Sequence, residues 1–256
     1  MKFLVCKRKH LLFYLLAIVV LVFFSVSASG SVYASVFFGE NIKRYPIYSV
    51  KTEEKKVAIT FDAAWGADKT TLILEVLKEF NVKATFFLVG MWSEKYKEQT
   101  RVIDSYGHEI GSHSYNHPDM VKLSKTQKLQ ELEKTNEILK ELTGKEVKLF
   151  RAPFGSYNNE LIETLDSLSM TGIQWDVDTL DWKGLGPSEV IKRVNSKVGC
   201  GSIILCHNNA DYVVENTRLI LSTLTNAGYS FVTVGELVKD VKEVKIGVGI
   251  NKQNGE

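Results

Sequence analysis

The sequence predicts an α/β fold in which a parallel sheet with helical crossovers closes into a barrel of seven or eight units. Two observations carry this expectation. Between about residues 57 and 237, short apolar runs of strand composition alternate with longer amphipathic segments of helical period, and such alternation favours a parallel sheet with right-handed crossovers. In addition, Asp62, His113, Arg151, Asp178 and His207 fall at or just beyond the C-terminal ends of five different runs. A doubly wound sheet gathers its polar site at one switch point, whereas contributions from so many strands fit a ring. A chain of 256 residues, 45% apolar and 24% charged with only 4 prolines, can bury a large core, which excludes a disordered chain or a disulfide-stapled miniprotein.

Along the chain, residues 1–34 read as a signal peptide or an N-terminal membrane anchor. Lys2, Lys7, Arg8 and Lys9 precede an apolar stretch over 11–24, and small residues follow as far as Ser35. The stretch is marginal against the ~20 residues a spanning helix needs, so cleavage after Ala28 or Ala34 competes with retention. In both cases the positive flank stays cytoplasmic and the body faces the outer side of the membrane, secreted or anchored. Residues 35–56 read as a linker and lead-in. Seven candidate strands follow at 57–62, 84–89, 109–113, 149–153, 172–178, 202–207 and 229–234. Between them lie helical segments such as 125–142, where Leu129, Leu132, Ile138, Leu139 and Leu142 recur at spacings near three and four and Gly144 stops the run. The alternating Lys and Glu over 125–146 read as a solvated helix face. Residues 239–256 read as a flexible tail.

Charge and cysteines narrow the function classes. The first acidic residue is Glu40, so taking the four leader cations from 32 basic residues leaves 28 against 30 acidic, a net charge of −2. A body so balanced lacks the basic excess of a nucleic-acid binder. Cys200 and Cys206 bracket an apparent strand, and an extended segment of that length spans about 20 Å, far beyond the roughly 6 Å between disulfide-linked Cα atoms. Both read as buried thiols.

Of the histidines, His10 is in the leader and His108 opens a strand, leaving His113, His117 and His207 near strand ends. In His-Ser-Tyr-Asn-His, the spacing of His113 and His117 lets both imidazoles face one point if the segment takes a helical turn. That pair alone is compatible with a metal site or with a hydrogen-bonded surface pair. Asp62 and Arg151 read equally as a strand-end cap and a structural ion pair. Trp65, Trp92, Tyr115, Tyr157 and Trp175 are candidates for stacking on sugar rings, with one or two expected to do so and the others to serve the core.

Taken together, Ile-Thr-Phe-Asp-Ala-Ala-Trp-Gly around Asp62, His113 with His117, Arg-Ala-Pro-Phe-Gly from Arg151, Asp-Thr-Leu-Asp-Trp from Asp178, and Leu-Cys-His ending at His207 resemble the polysaccharide deacetylases. The likeness is to the NodB-type carbohydrate esterase domain, covers about residues 57–238, and has five motifs in the family's order. The Trp-Gly form of the first motif looks like the sporulation-associated branch. The resemblance implies a distorted (β/α) barrel of about seven strands that removes N-acetyl groups from amino sugars of cell-wall glycan, peptidoglycan or a chitin-like polymer, as a monomer. It implies Asp62 as general base, Arg151 as its orienting partner, His207 as general acid and Asp181 as the carboxylate that holds it. It further implies His113 and His117 as ligands of a divalent metal, most often zinc, with cobalt or manganese as alternatives. The Phe154 N–H becomes an oxyanion donor, shaped by Pro153 and Gly155, and Leu205 and Trp182 the wall around the acetyl methyl. One position departs from the pattern: the family's second aspartate, a metal ligand, is Ala63 here. The expected consequence is a weakly held metal unless Asp62, Asp119 or another carboxylate completes the set, with a non-catalytic glycan-binding homologue as the alternative.

Overall fold

The computed structural model describes residues 14–19, 44–239 and 244–246. Residues 14–19 are helical and belong to a unit, Met1–Lys43, separate from the body, Arg44–Glu256. The rest of the leader, including both cleavage positions, and most of the tail lie outside the described residues.

The body is built from β1 (Ile47–Val50), β2 (Lys56–Ala63), β3 (Thr85–Leu88), β4 (Glu109–Ser112), β5 (Leu149–Phe150), β6 (Thr171–Gly172), β7 (Val177–Asp178), β8 (Ile203–His207), β9 (Ser230–Phe231) and β10 (Val244–Ile246). Seven of these form one sheet in the order β6-β5-β4-β3-β2-β8-β7, with β9 paired to the start of β2. All its pairings are parallel. The intervening helices are α1 (Thr70–Glu79), α2 (Gly90–Lys95), α3 (Lys97–Ser105), α4 (Lys125–Thr143), α5 (Asn159–Ser167), α6 (Pro187–Asn195), α7 (Val213–Asn226) and α8 (Val234–Lys239).

Topology alone shows that this sheet is curled. β6 and β7 are its two edges, yet only residues 173–176 separate them in sequence. The chain from Gly172 to Val177 reaches at most about 18 Å, whereas the edges of a flat sheet of this width would stand about 29 Å apart. The run 172–178, read from sequence as one strand, is therefore corrected to two short strands that face each other across the mouth of an open barrel. The break has its own bonds: Ile173 N–H donates to Phe150 O, Gln174 N–H to Ile47 O, and the Asp176 carboxylate accepts from Ser202 Oγ and Ile203 N.

Strand alternation divides the core in two. Val57, Ile59, Phe61 and Ala63 of β2 join Phe86 and Leu88 of β3 in the large apolar layer beneath the helices, while Ala58, Phe87, Leu149, Ile173 and Ile203 fill the smaller barrel interior. Residues 35–56, read as a linker, contain β1, whose Val50 is buried in that interior. Its N–H bonds to Gly201 O, and Gly201 at φ 80° is required there because a Cβ would stand 1.9 Å from Val50 O. β1 pairs antiparallel with β10, which falls within the residues read as tail. The expected helix 125–142 is α4; Ser124 and Gln127 form a capping box at its start, and left-handed Gly144 ends it. The expected strand 229–234 is only β9, because Val234 already begins α8.

Candidate active site

Asp62 is the penultimate residue of β2, and the register sets it beside Phe87 of β3 and His207 of β8. Its side chain points into the barrel mouth, as do Thr60 and Ala58 before it. Arg151 follows β5 and is wholly buried, its Nη1 donating to Asp62 Oδ1 at 2.7 Å and to Thr60 Oγ1 at 2.8 Å. Nη2 donates to Gln174 O at 3.1 Å, and the guanidinium lies 4.1 Å from the Phe87 ring centre and 5.5 Å from that of Trp175. A buried charge needs such partners, although the Arg151 Nε is left without a hydrogen bond. Burial opposes the Asp62 charge, yet the Arg151 guanidinium, aided by His113 and His207, holds its carboxyl below the usual value.

His113 follows β4, and its Nδ1 lies 2.8 Å from Arg151 O. A carbonyl only accepts, so Nδ1 carries the proton and the Nε2 lone pair faces Asp62 Oδ2 at 3.6 Å. Burial depresses the pKa of His113, and burial together with His113 brings that of His117 down to about 4, so both rings are neutral at physiological pH. The rings meet edge-on with centroids 4.9 Å apart.

They do so without the helical turn anticipated for 113–117. The segment is a loop with Ser114 and His117 in left-handed backbone. Glu131 of α4 holds it: Oε2 accepts from the Tyr115 and Asn116 N–H groups, and Oε1 from Asn116 Nδ2, each at 2.8 Å. Two neutral imidazoles beside a carboxylate oxygen are a donor set that a divalent cation fits. Among the described residues, however, no group of three or more His, Cys, Asp or Glu closes on one point. Ala63 lies in the apolar layer beneath the helices, and Asp119 is engaged by Lys122 and Val121 N.

On the other side of Asp62, Asp181 grips His207 twice, Oδ1 at 2.7 Å from Nδ1 and Oδ2 accepting the His207 N–H at 2.9 Å. Burial disfavours the His207 charge, but the Asp181 carboxylate overcomes it and raises the pKa. Leu205 is buried on the same strand, and Trp182 stands 59% exposed in the 3-10 turn after β7. Phe154 is 72% exposed, in left-handed backbone within the turn Pro153–Gly155, its ring edge-on to His117 with centroids 4.8 Å apart. Of the five aromatic candidates for sugar stacking, Trp92 is buried, Tyr115, Tyr157 and Trp175 are partly buried, and Trp65 is exposed. Cys200 and Cys206 are free thiols, the latter buried with its pKa pushed up.

The structure thus brings Asp62, Arg151, His113, His117, His207 and Asp181 around one mouth. Sequence reading passed over Thr60 and Gln174, which finish the Arg151 setting, and Glu131, which it assigned to a solvated face. Thr60 carried a signal, an unpaired polar residue on the interior-facing parity of a buried strand; Gln174 acts through its backbone and carried none.

A family model described as polysaccharide deacetylase matches residues 49–173. The Bacillus subtilis protein YlxY is 36% identical over 206 residues, 80% of this chain, which spans 64% of that protein's length. A peptidoglycan-N-acetylglucosamine deacetylase of Bacillus cereus is 34% identical over 202 residues, covering 77% of this chain and 74% of the relative. Among solved structures, BA3943 of Bacillus anthracis, described as a CE4 family pseudoenzyme, superposes with a TM-score of 0.73 at 36% identity over 75% of this chain and 68% of its own. Motifs, curled parallel sheet and coverage agree: the chain belongs to the polysaccharide deacetylase family, carbohydrate esterase family 4.

Proposed function

We propose that the protein hydrolyses N-acetyl groups on amino sugars of cell-wall glycan, peptidoglycan or a chitin-like polymer, on the outer side of the cytoplasmic membrane. One observation carries this reading. Asp62 and His207 stand at matching register on neighbouring strands, and their surroundings push their pKa values in opposite directions, the carboxylate toward its ionised form and the imidazole toward its protonated form. Asp62 takes the proton of the attacking water, and His207 delivers one to the departing amine while Asp181 keeps the imidazolium oriented. Water is consumed; acetate and a free amine leave. Arg151 fixes Asp62, the Phe154 N–H donates to the developing oxyanion, and Leu205 and Trp182 wall the acetyl methyl. His113 and His117 would hold a divalent cation, zinc, cobalt or manganese, and when bound it supplies Lewis acidity at the acetamide carbonyl. With Ala63 in place of a carboxylate, that cation is held weakly. The peptidoglycan deacetylase of Bacillus cereus supports the substrate class.

A second reading has its own support. The 36% identical BA3943 is a pseudoenzyme, and a mutant of it has restored enzymatic activity. On this reading Ala63 marks a protein that keeps the groove and binds glycan without cleaving it.

Acetate release from peptidoglycan and N-acetylglucosamine oligomers, before and after chelation and with zinc, cobalt or manganese restored, separates the two. The deacetylase reading expects release that chelation removes and metal returns, abolished in Asp62→Asn. No release with any metal, together with retained glycan binding, would establish the second reading.

A further inference from the structure

Trp65 is a large apolar side chain left 60% exposed at the mouth of the barrel, two residues beyond the end of β2. Its ring centroid lies 6.0 Å from that of His117, which Phe154 also meets. The ring is exposed but its backbone is firmly anchored. Gly66, in left-handed backbone at φ 57°, turns the chain directly after it. The Gly66 carbonyl accepts from the indole Nε1 of buried Trp92 at 2.5 Å and from Asn208 Nδ2 at 2.9 Å. Asn208 is itself buried and directly follows His207, so the turn carrying Trp65 is tied to the strand end carrying the proposed acid. Lone exposed apolar residues need no explanation, but an indole carried on an anchored turn beside a polar cleft is placed to receive a flat partner.

The chemistry of the surface narrows that partner. An indole offers a wide apolar face and no charge, and the C–H face of a pyranose ring matches it. The exposed ring borders His117 at the mouth, which places it where a sugar next to the reacting one would lie. We propose that Trp65 is a stacking residue for the pyranose neighbouring the reacting one, so that the protein selects oligomeric glycan over the single sugar. This deepens the deacetylase reading and takes its substrate class from it.

The test uses the full chain and its Trp65→Ala and Trp65→Tyr variants, with the tetramer of N-acetylglucosamine as the probe. Affinity is measured by calorimetry, and kcat and KM by acetate release. Trp65→Ala should weaken tetramer binding about tenfold and raise KM in parallel with a smaller change in kcat, while Trp65→Tyr recovers most of the loss. Near-UV circular dichroism verifies that each variant is folded. Equal tetramer affinity in Trp65→Ala and the parent overturns the proposal, as does a parent chain that does not bind the tetramer. If binding depends on Trp65 but no acetate appears, the stacking role stands and the deacetylase reading falls. If acetate is released with KM unmoved in Trp65→Ala, the reverse holds.

Discussion

His207 owes its elevated pKa chiefly to Asp181, with Asp62 and Asp178 adding to it. Burial works to neutralise the ring, and the Asp181 carboxylate, bonded to both the ring and the backbone N–H of the same residue, more than offsets it. The imidazolium therefore persists to higher pH than an ordinary histidine would allow, and catalysis that needs it falls as pH rises through that raised value. In Asp181→Asn the amide keeps a hydrogen bond but loses the charge, leaving burial opposed only by Asp62 and Asp178. The alkaline limb of the kcat/KM profile should then move to lower pH, with the acid limb of Asp62 little changed. A pH–rate profile checks this, and an unmoved alkaline limb would remove His207 from the role of acid. The residues on which this rests were legible in the sequence, because His and Asp at strand ends are chemically conspicuous. Gln174 was not: a glutamine in a loop is ordinary, whereas Thr60 stood out by its interior-facing parity, and only the path of the Arg151 guanidinium gives either a task.

At the scale of elements, strands and helices that repeat a pattern were readable and those that interrupt it were not. α4 announced its end through Gly144, while the Ser124–Gln127 capping box at its start emerged only in the structure. The run 172–178 gave no sign of its break, because Ile173, Trp175 and Val177 look like strand, and only the two edges meeting across the mouth require the chain to leave one and join the other. The loop 113–117 was read with the right residues and the wrong geometry: helical spacing was expected to converge the imidazoles, whereas left-handed Ser114 and His117 do so, held from outside by Glu131. Glu131→Ala removes the acceptor of three hydrogen bonds, two of them from backbone. It should lower stability by about 2 kcal/mol and weaken cobalt binding, because His117 sits on the freed loop while His113 remains tied to Arg151 O. Denaturant unfolding and cobalt titration read the two effects separately. Stability lost with cobalt affinity intact would show that the loop holds His117 without Glu131.

Across the whole molecule, the same strand carries a buried histidine just before its start and another just after its end. His113 follows β4 at the mouth; His108 precedes it at the opposite end of the barrel, 4% exposed between the rings of Phe86 and Tyr106. The Ala84 N–H donates to His108 Nδ1, which fixes a neutral ring, and burial, helped by nearby Lys83, brings the pKa down to about 4. The unfolded chain then binds more protons than the folded one between pH 4 and about 6.5, so stability is full above that window and declines as pH falls through it. The contribution of His108 to this decline is about 3 kcal/mol at its limit. His117 acts in the same sense, but a cation at the mouth would mask its titration, whereas His108 is remote from that cation. In His108→Phe the ring packing stays and the titration is gone, at the expense of one acceptor for Ala84. Urea midpoints measured at pH 7 and pH 4.5 should show the variant less stable at neutral pH and less sensitive to acid than the parent. An equal loss of stability in both proteins would mean that acid sensitivity resides at the mouth, and that the far end of the barrel titrates without strain.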